Sequence, residues 1–97
     1  MRISLDTYIE GGDARHGGTI HNLSLRGCFV LTPREFRPGS HVKVEVGKPG
    51  LLRMTMSGVV VHRDAGRGVG VRFTDLTATK QAMLAKLLQS ILKGRTT

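Results

Sequence analysis

The sequence predicts a mainly β domain: a small antiparallel six-stranded β-barrel closed by one C-terminal α-helix. Two observations support this prediction. Short apolar or alternating runs recur between Gly, Pro and Asp turns over residues 3–73, which is typical of short antiparallel strands. After Thr77 the alternation gives way to a helical repeat over residues 78–93. Many short strands followed by a single helix favour a barrel that the helix covers.

Composition limits the chain to one small domain. It has 97 residues, 39% of them hydrophobic, which allows one modest core. Residues 1–97 are therefore expected to form a single domain. A lone cysteine, Cys28, excludes an internal disulfide framework and favours a reducing, cytoplasmic location. The sequence has no basic-then-apolar leader and no apolar run long enough for a membrane span, so no membrane insertion is expected.

The strands are expected between recognisable turns. A turn-rich stretch covers residues 11–18, a connection containing Pro38 and Gly39 precedes the fourth strand, and residues 64–68 form a hairpin turn. The parity of the apolar positions changes at Ser57 and Gly58, which indicates a bend there. In chain order, the strands are predicted at residues 3–9, 19–21, 28–31, 42–46, 52–62 and 69–73.

The C-terminal segment has the pattern of an amphipathic helix. Thr77 is a suitable N-cap, and Gly94 is expected to end the helix. A broad apolar stripe is expected to pack on the barrel, because a domain this small needs the burial. The stripe consists of Met83, Leu84, Leu87, Leu88, Ile91 and Leu92.

A polar hexapeptide interrupts two apolar runs at residues 22–27, Asn-Leu-Ser-Leu-Arg-Gly. Asn22 and Ser24 offer short donors and acceptors close to their own backbone, and Gly27 allows either a positive φ or the close approach of a ligand. The segment is therefore a candidate binding turn. An ordinary turn, with an Asx hydrogen bond and a glycine at positive φ, explains the local pattern equally well.

The charge of the chain favours an anionic partner. Fifteen Lys and Arg residues against seven Asp and Glu residues give a net charge of +8, and ten of the fifteen are arginines. The planar guanidinium binds phosphates and the guanine edge, so a nucleotide or a nucleic acid is the favoured class of partner. Only four aromatic residues are present, which disfavours a stacking platform for single strands.

No arrangement of residues supports catalysis or a metal site. The four histidines, at positions 16, 21, 41 and 62, are scattered without metal-ligand spacing. No nucleophile-elbow sequence, carboxylate pair or phosphate-binding Walker loop is present. Cys28 lies within an apolar strand and is expected to pack as a small hydrophobic residue. The chain is therefore expected to be neither an enzyme nor a metalloprotein, and to need no cofactor.

Taken together, these motifs resemble the PilZ domain, a bacterial β-barrel with a C-terminal helix that in many proteins binds cyclic di-GMP. The family motif is Asp or Asn, an apolar residue, Ser, two variable residues and Gly. The hexapeptide matches every fixed position through Asn22, Ser24 and Gly27. Pro38-Gly39 before an alternating strand, and the Gly-rich segments at residues 58–60 and 68–73, are similar to the family framework. The resemblance covers nearly the whole chain.

The family usually carries a second motif, Arg-x-x-x-Arg, before its first strand. Arg2 resembles the second arginine, whereas the first would fall before Met1. The resemblance implies ligand contacts from Arg2, Asn22 and Ser24, with Gly27 allowing the ligand to approach the backbone. Arg26 occupies a variable position of the motif and is a further candidate through its charge.

Three functions are compatible with these features. The first is a cyclic di-GMP receptor that relays the messenger level to an unidentified protein partner. The second is a PilZ-like adaptor in motility or type IV pilus function that does not bind cyclic di-GMP. General nucleic-acid binding through the net charge is a third function, which the small number of aromatic residues disfavours for single strands.

Overall fold

The protein forms a closed barrel of six antiparallel strands followed by one helix, as predicted. The computed structural model describes residues 2–47 and 53–95. The strands follow one another around the barrel in the order β1-β2-β3-β6-β5-β4, and β4 closes it by pairing with β1. The elements are β1 (Arg2–Gly11), β2 (Ala14–Leu23), β3 (Gly27–Leu31), β4 (His41–Gly47), β5 (Arg53–Asp64), β6 (Gly68–Phe73) and α1 (Ala78–Arg95).

Alternation along the strands fills the barrel interior. Along β1, buried and exposed residues alternate from Arg2 to Ile9, and Ile3, Leu5 and Ile9 are among the buried ones. Val44 and Val46 of β4 follow the same rule and are fully buried. The inward side chains of all six strands and of the helix belong to one core cluster. This one-sided burial explains why period-two patterns in the sequence located the strands.

The first turn is shorter than the sequence predicts. Residues 14–18, expected in a turn-rich stretch, lie in β2, and only Gly12 and Asp13 connect the first two strands. Gly12 has a φ of 63°, a conformation that glycine adopts without strain. Gly17 and Gly18 pair with β1 across the hairpin. Pairing with a neighbouring strand therefore overrides the local glycine signal.

The irregularity of β5 lies at Val61 rather than at Ser57 and Gly58. The pairing with β6 skips Val61, which is an extra residue with a half-exposed side chain. Gly58 keeps the inward alternation, and a Cβ there would lie 2.5 Å from the Val71 side chain. Glycine at this position is thus a packing requirement. Residues 48–52, which include the first residue predicted for this strand, lie outside the described residues.

The helix begins as predicted and extends slightly further. The Thr77 hydroxyl accepts a hydrogen bond from the Lys80 N–H at 3.1 Å, which is an N-cap. The helix ends at Arg95, so Gly94 lies in its last turn instead of after it. No helix within the described residues has both the length and the apolar character that a membrane span requires.

The apolar stripe of the helix is narrower than predicted. Leu84, Leu87 and Ile91 are buried, whereas Leu88 packs against the core only in part. Leu92 was predicted to pack on the barrel, yet it is 53% exposed. The difference is geometric, because the barrel covers only the face of the helix that bears Leu84, Leu87 and Ile91.

A polar contact holds the start of the helix to the barrel. The Lys80 ammonium donates hydrogen bonds to the Asp75 carboxylate and, at 3.1 Å, to the backbone carbonyl of Thr55. Partial burial opposes ionisation of Asp75, but Lys80 and the backbone N–H of Ser57 outweigh it and lower the pKa of this carboxyl. The ion pair therefore links the helix to the segment that precedes it and to β5.

Candidate functional site

The polar hexapeptide forms the tight connection between β2 and β3. Asn22 and Leu23 end β2, and Gly27 begins β3. The Ser24 N–H donates to the Gly27 carbonyl at 2.9 Å, which closes the turn. The Arg26 carbonyl accepts a hydrogen bond from the backbone N–H of Phe73 at 2.8 Å, so the turn is also tied to β6.

The hydroxyl of Ser24 organises this turn. It accepts hydrogen bonds from the backbone N–H groups of Arg26 and Gly27 at 3.2 and 3.3 Å. This is the pattern by which serine stabilises a turn through its own neighbouring backbone. An ordinary turn stabilised by its own side chain is therefore present, but Ser24 supplies the hydrogen bonds where an Asx hydrogen bond was expected. The role of Ser24 as a ligand contact stays a prediction.

Glycine is required at position 27 by close packing, and not by the positive φ that the sequence analysis considered. The positive-φ glycines among the described residues are Gly12, Gly39, Gly47 and Gly66, so a positive φ does not explain Gly27. A Cβ at Gly27 would lie 2.1 Å from the backbone oxygen of Val71. The close approach is that of β6, and Gly27 allows β3 to pair with it. Its predicted role in admitting a ligand is not tested by this contact.

Arg2 and Asn22 are brought together by strand pairing. They are cross-strand partners in the β1–β2 ladder, and both side chains are exposed. Arg26 is exposed in the adjacent turn. Arg72, which the sequence analysis did not select, is exposed on β6 and pairs with Gly27. The sequence could have indicated Arg72, because alternation within β6 places it between the inward Val71 and Phe73 and so on the outer face.

A β-bulge turns Asn22 toward solvent. Ile20 pairs with Val30 and Asn22 with Phe29, so His21 is an extra residue in β2. Ile20 is buried, and simple alternation would place Asn22 on the inner face as well. The extra residue resets the alternation, leaving Asn22 exposed and Leu23 buried. The bulge therefore determines that the motif's amide is accessible.

Asn22 belongs to a line of outward residues that crosses five strands. Successive pairings join Arg2, Asn22, Phe29, Gly70 and His62, and we call these five residues the outer row. The bulges in β2 and β5 lie at this level, immediately next to the row. All five positions are exposed or half-buried. The candidate site thus continues across the barrel surface beyond the hexapeptide.

Aromatic rings and a guanidinium lie along the outer row. The ring centroids of Phe29 and His62 are 6.4 Å apart. The Arg67 guanidinium lies over the Phe29 ring, 5.4 Å from its centroid, and is ion-paired with Asp64 at 3.0 Å. These groups supply the polar, cationic and aromatic surfaces that recognise nucleobases and phosphates.

Among the described residues there is neither a metal-binding cluster nor an ionised thiol. Within residues 2–47 and 53–95, no group of three or more His, Cys, Asp or Glu side chains is placed to hold a metal ion. Burial raises the pKa of the Cys28 thiol to about 12, so the thiolate needed for nucleophilic chemistry is not formed near neutral pH. Cys28 packs in the core as predicted.

Comparisons with known proteins agree with the fold. No curated protein sequence matches the chain. The crystal structure of the PilZ domain of CeSA from a cellulose-synthesizing bacterium is similar, with a TM-score of 0.73 and 15% sequence identity. The match covers 94% of this chain and 95% of that one. The model of the PilZ domain family matches residues 1–90, and the chain therefore belongs to the PilZ domain family.

Proposed function

We propose that this protein is a cyclic di-GMP receptor domain that acts by binding and not by catalysis. The observation that carries the proposal is the pairing of Arg2 with Asn22 on the outer face, beside a hexapeptide that has every fixed residue of the family's ligand motif. This pairing places a guanidinium and an amide next to each other on adjacent strands. Together they suit a guanine edge and a phosphate.

Each proposed contact follows from the chemistry of its residue. Arg2 binds guanine O6 and N7 through its planar fork or pairs with a phosphate. Asn22 donates to and accepts from a guanine edge with its amide. Ser24 already uses its hydroxyl within the turn, accepting from the Arg26 and Gly27 N–H groups and donating to the Gly27 carbonyl, so a ligand contact from Ser24 replaces one of these bonds. Arg26 and Arg72 add positive charge at the same end of the barrel.

Arg2 of β1 and Asn22 of β2 are already paired in the free protein, which suggests how binding is relayed. A ligand that contacts both side chains covers this part of the barrel and adds its own phosphates and bases to the surface. The liganded surface then differs from the free one, and a protein partner that distinguishes them reads the messenger level. We place this relay in the cytoplasm, where the reduced Cys28 and a cytoplasmic messenger are compatible.

Calorimetric titration with cyclic di-GMP tests the proposal. GMP and a short DNA duplex at the same salt concentration serve as controls. Saturable heat with cyclic di-GMP, and weaker or no binding of the two controls, supports the receptor function. No heat with cyclic di-GMP contradicts it for this chain.

Arginine variants identify the site. Arg2→Ala is expected to weaken binding more than Asn22→Ala, because a charged bidentate contact contributes about 1–3 kcal/mol. Arg37→Ala removes an exposed arginine in the connection between β3 and β4, away from the site, and serves as the matched control. Equal losses in Arg2→Ala and Arg37→Ala would indicate a general charge effect.

The PilZ-like adaptor function is the second candidate, in which the same barrel contacts a protein partner without binding cyclic di-GMP. Extending the given sequence with Arg-x-x before Met1 places a second arginine at the family's usual spacing from Arg2, and it is expected to tighten cyclic di-GMP binding. If neither the original nor the extended chain binds the ligand, lack of that arginine does not explain the result. The adaptor function in motility or pilus machinery is then the better one.

A further inference from the structure

The outer row continues past Asn22 over Phe29, Gly70 and His62, which none of the assigned roles uses. These three residues lie abreast on β3, β6 and β5. Gly70 is in the middle, between the two aromatic side chains. Gly70 has no side chain and is only half-buried, so part of the β6 backbone is accessible between the two rings, and we call this place the gap.

No internal contact requires glycine at position 70. A Cβ there would lie 3.4 Å from the Cβ of His62, which is ordinary van der Waals contact, and its φ is not positive. By contrast, a Cβ at Gly27 or Gly68 would lie 2.1 or 2.0 Å from a backbone oxygen. Glycine inside a strand is otherwise unfavourable, and it commonly marks the close approach of another group.

The borders of the gap fit a flat, electron-rich ligand group. Phe29 and His62 present rings on its two sides, with 6.4 Å between their centroids. The Arg67 guanidinium already occupies the face of Phe29 at 5.4 Å from the centroid. Aromatic rings and guanidinium planes are the surfaces on which unpaired bases stack.

We propose that Phe29, Gly70 and His62 form a platform for the second guanine of cyclic di-GMP. This inference rests on the proposed function and assigns the first guanine to Arg2 and Asn22. Neighbouring strands lie about 4.8 Å apart, so the gap at Gly70 is about 10 Å along the row from Asn22. Two bases attached to opposite sides of one sugar-phosphate ring occupy two such positions. A ligand with one base fills only one of them.

The gap is tested by filling it. Gly70→Ala adds one methyl group to the platform without an internal clash, and is expected to weaken cyclic di-GMP binding about fivefold or more. Gly17→Ala is the matched control, because Gly17 is likewise a glycine within a strand, it is exposed, and a Cβ there would meet nothing within 4 Å. Thermal unfolding of both variants verifies that the barrel is intact.

The aromatic border is tested by a substitution that keeps its bulk. Phe29→Leu retains an apolar side chain at a half-buried position but removes the ring. Loss of base stacking is expected to weaken cyclic di-GMP binding about five- to 100-fold. Backbone amide signals of Gly70 and His62 are expected to shift in NMR spectra on addition of cyclic di-GMP, and to shift less with GMP.

The outcomes separate the platform from the proposed function. If the wild-type chain does not bind cyclic di-GMP, the proposed function fails and the platform with it. If the wild type binds and Gly70→Ala and Phe29→Leu both bind within twofold of it, the platform is wrong while the receptor function stands. Equal weakening by Gly17→Ala and Gly70→Ala also overturns the platform, because the effect is then not local.

Discussion

At the scale of single residues, two members of the hexapeptide stabilise the barrel by different contacts. Ser24 accepts hydrogen bonds from two backbone N–H groups of its own turn. Gly27 leaves room for the backbone of Val71, which comes within 2.1 Å of where its Cβ would be. Asn22 has neither of these constraints and is exposed. Substitutions at the three positions should therefore affect stability differently.

Ser24→Ala is expected to lower the free energy of unfolding by roughly 1 kcal/mol, because the turn loses its side-chain acceptor. Asn22→Ala, at an exposed position two residues earlier, should change stability by less than about 0.5 kcal/mol. Urea denaturation followed by circular dichroism measures both. Identical stabilities for the two variants would show that the hydroxyl does not support the turn.

Gly27→Ala is expected to destabilise the domain by about 1–3 kcal/mol or more, because a strand backbone must move to admit the methyl group. Gly17→Ala, which projects into open space, should stay within about 0.5 kcal/mol of the wild type. Denaturant midpoints of the two variants provide the comparison. A neutral Gly27→Ala would mean that β3 and β6 separate easily at this end.

At the scale of elements, the helix contributes through three buried side chains and one N-terminal ion pair. Leu84 and Leu87 are almost completely buried, whereas Leu92 is half exposed. The amphipathic pattern alone does not distinguish these leucines, since all lie within one broad stripe. The width of the contact between the helix and the barrel distinguishes the buried leucines from the exposed one.

Leucine truncations measure that contact. Leu87→Ala is expected to cost about 2–5 kcal/mol of unfolding free energy, because it leaves a cavity in the core. Leu92→Ala should cost less than about 0.5 kcal/mol, and Leu88→Ala, at a half-buried position, should fall between them. Chemical denaturation gives the order. If Leu92→Ala lowered the free energy of unfolding as much as Leu87→Ala, a partner or a second copy of the chain would have to cover Leu92.

The Asp75–Lys80 pair gives a pH dependence with a definite sign. Folding lowers the pKa of Asp75, so the pair stabilises the folded state above the unfolded pKa of about 3.9. This stability is lost as the pH falls through the folded pKa. The pair is partly exposed, so the contribution is about 1 kcal/mol or less.

Comparison of the wild type with Asp75→Asn measures this contribution. The wild type should be the more stable at pH 7, and the difference should shrink at acidic pH, as the pH falls through the lowered pKa of the folded carboxyl. Asp13→Asn, in the exposed β1–β2 turn, is the control. A difference between wild type and Asp75→Asn that is the same at both pH values would exclude the ion pair as its cause.

At the scale of the whole molecule, pairing between strands that are distant in sequence brings together residues from five strands in the outer row. The chain also carries a net charge of +8, which attracts any phosphate-containing ligand. These two features predict different salt dependences. A shaped site holds a ligand with few charges, whereas a diffuse field holds a polyanion through many weak contacts.

Binding of cyclic di-GMP is therefore expected to weaken by about tenfold at most between roughly 50 and 200 mM salt, because only two phosphates are neutralised. Any binding of a DNA duplex should weaken much more steeply over the same range. Calorimetry or fluorescence anisotropy at several salt concentrations gives the two slopes. A slope for cyclic di-GMP as steep as that for DNA would mean that the net charge, and not the site, holds the ligand.

The amino-acid sequence by itself determined the class of fold, the helix with its Thr77 cap and the position of the polar turn, since these depend on local periodicity and capping chemistry. The tertiary structure decided which face each residue of the site occupies. The bulge at His21 turns Asn22 outward, and the backbone of β6 explains Gly27. A single inserted residue reverses the alternation of everything that follows it, and only pairing between distant strands reveals where it lies.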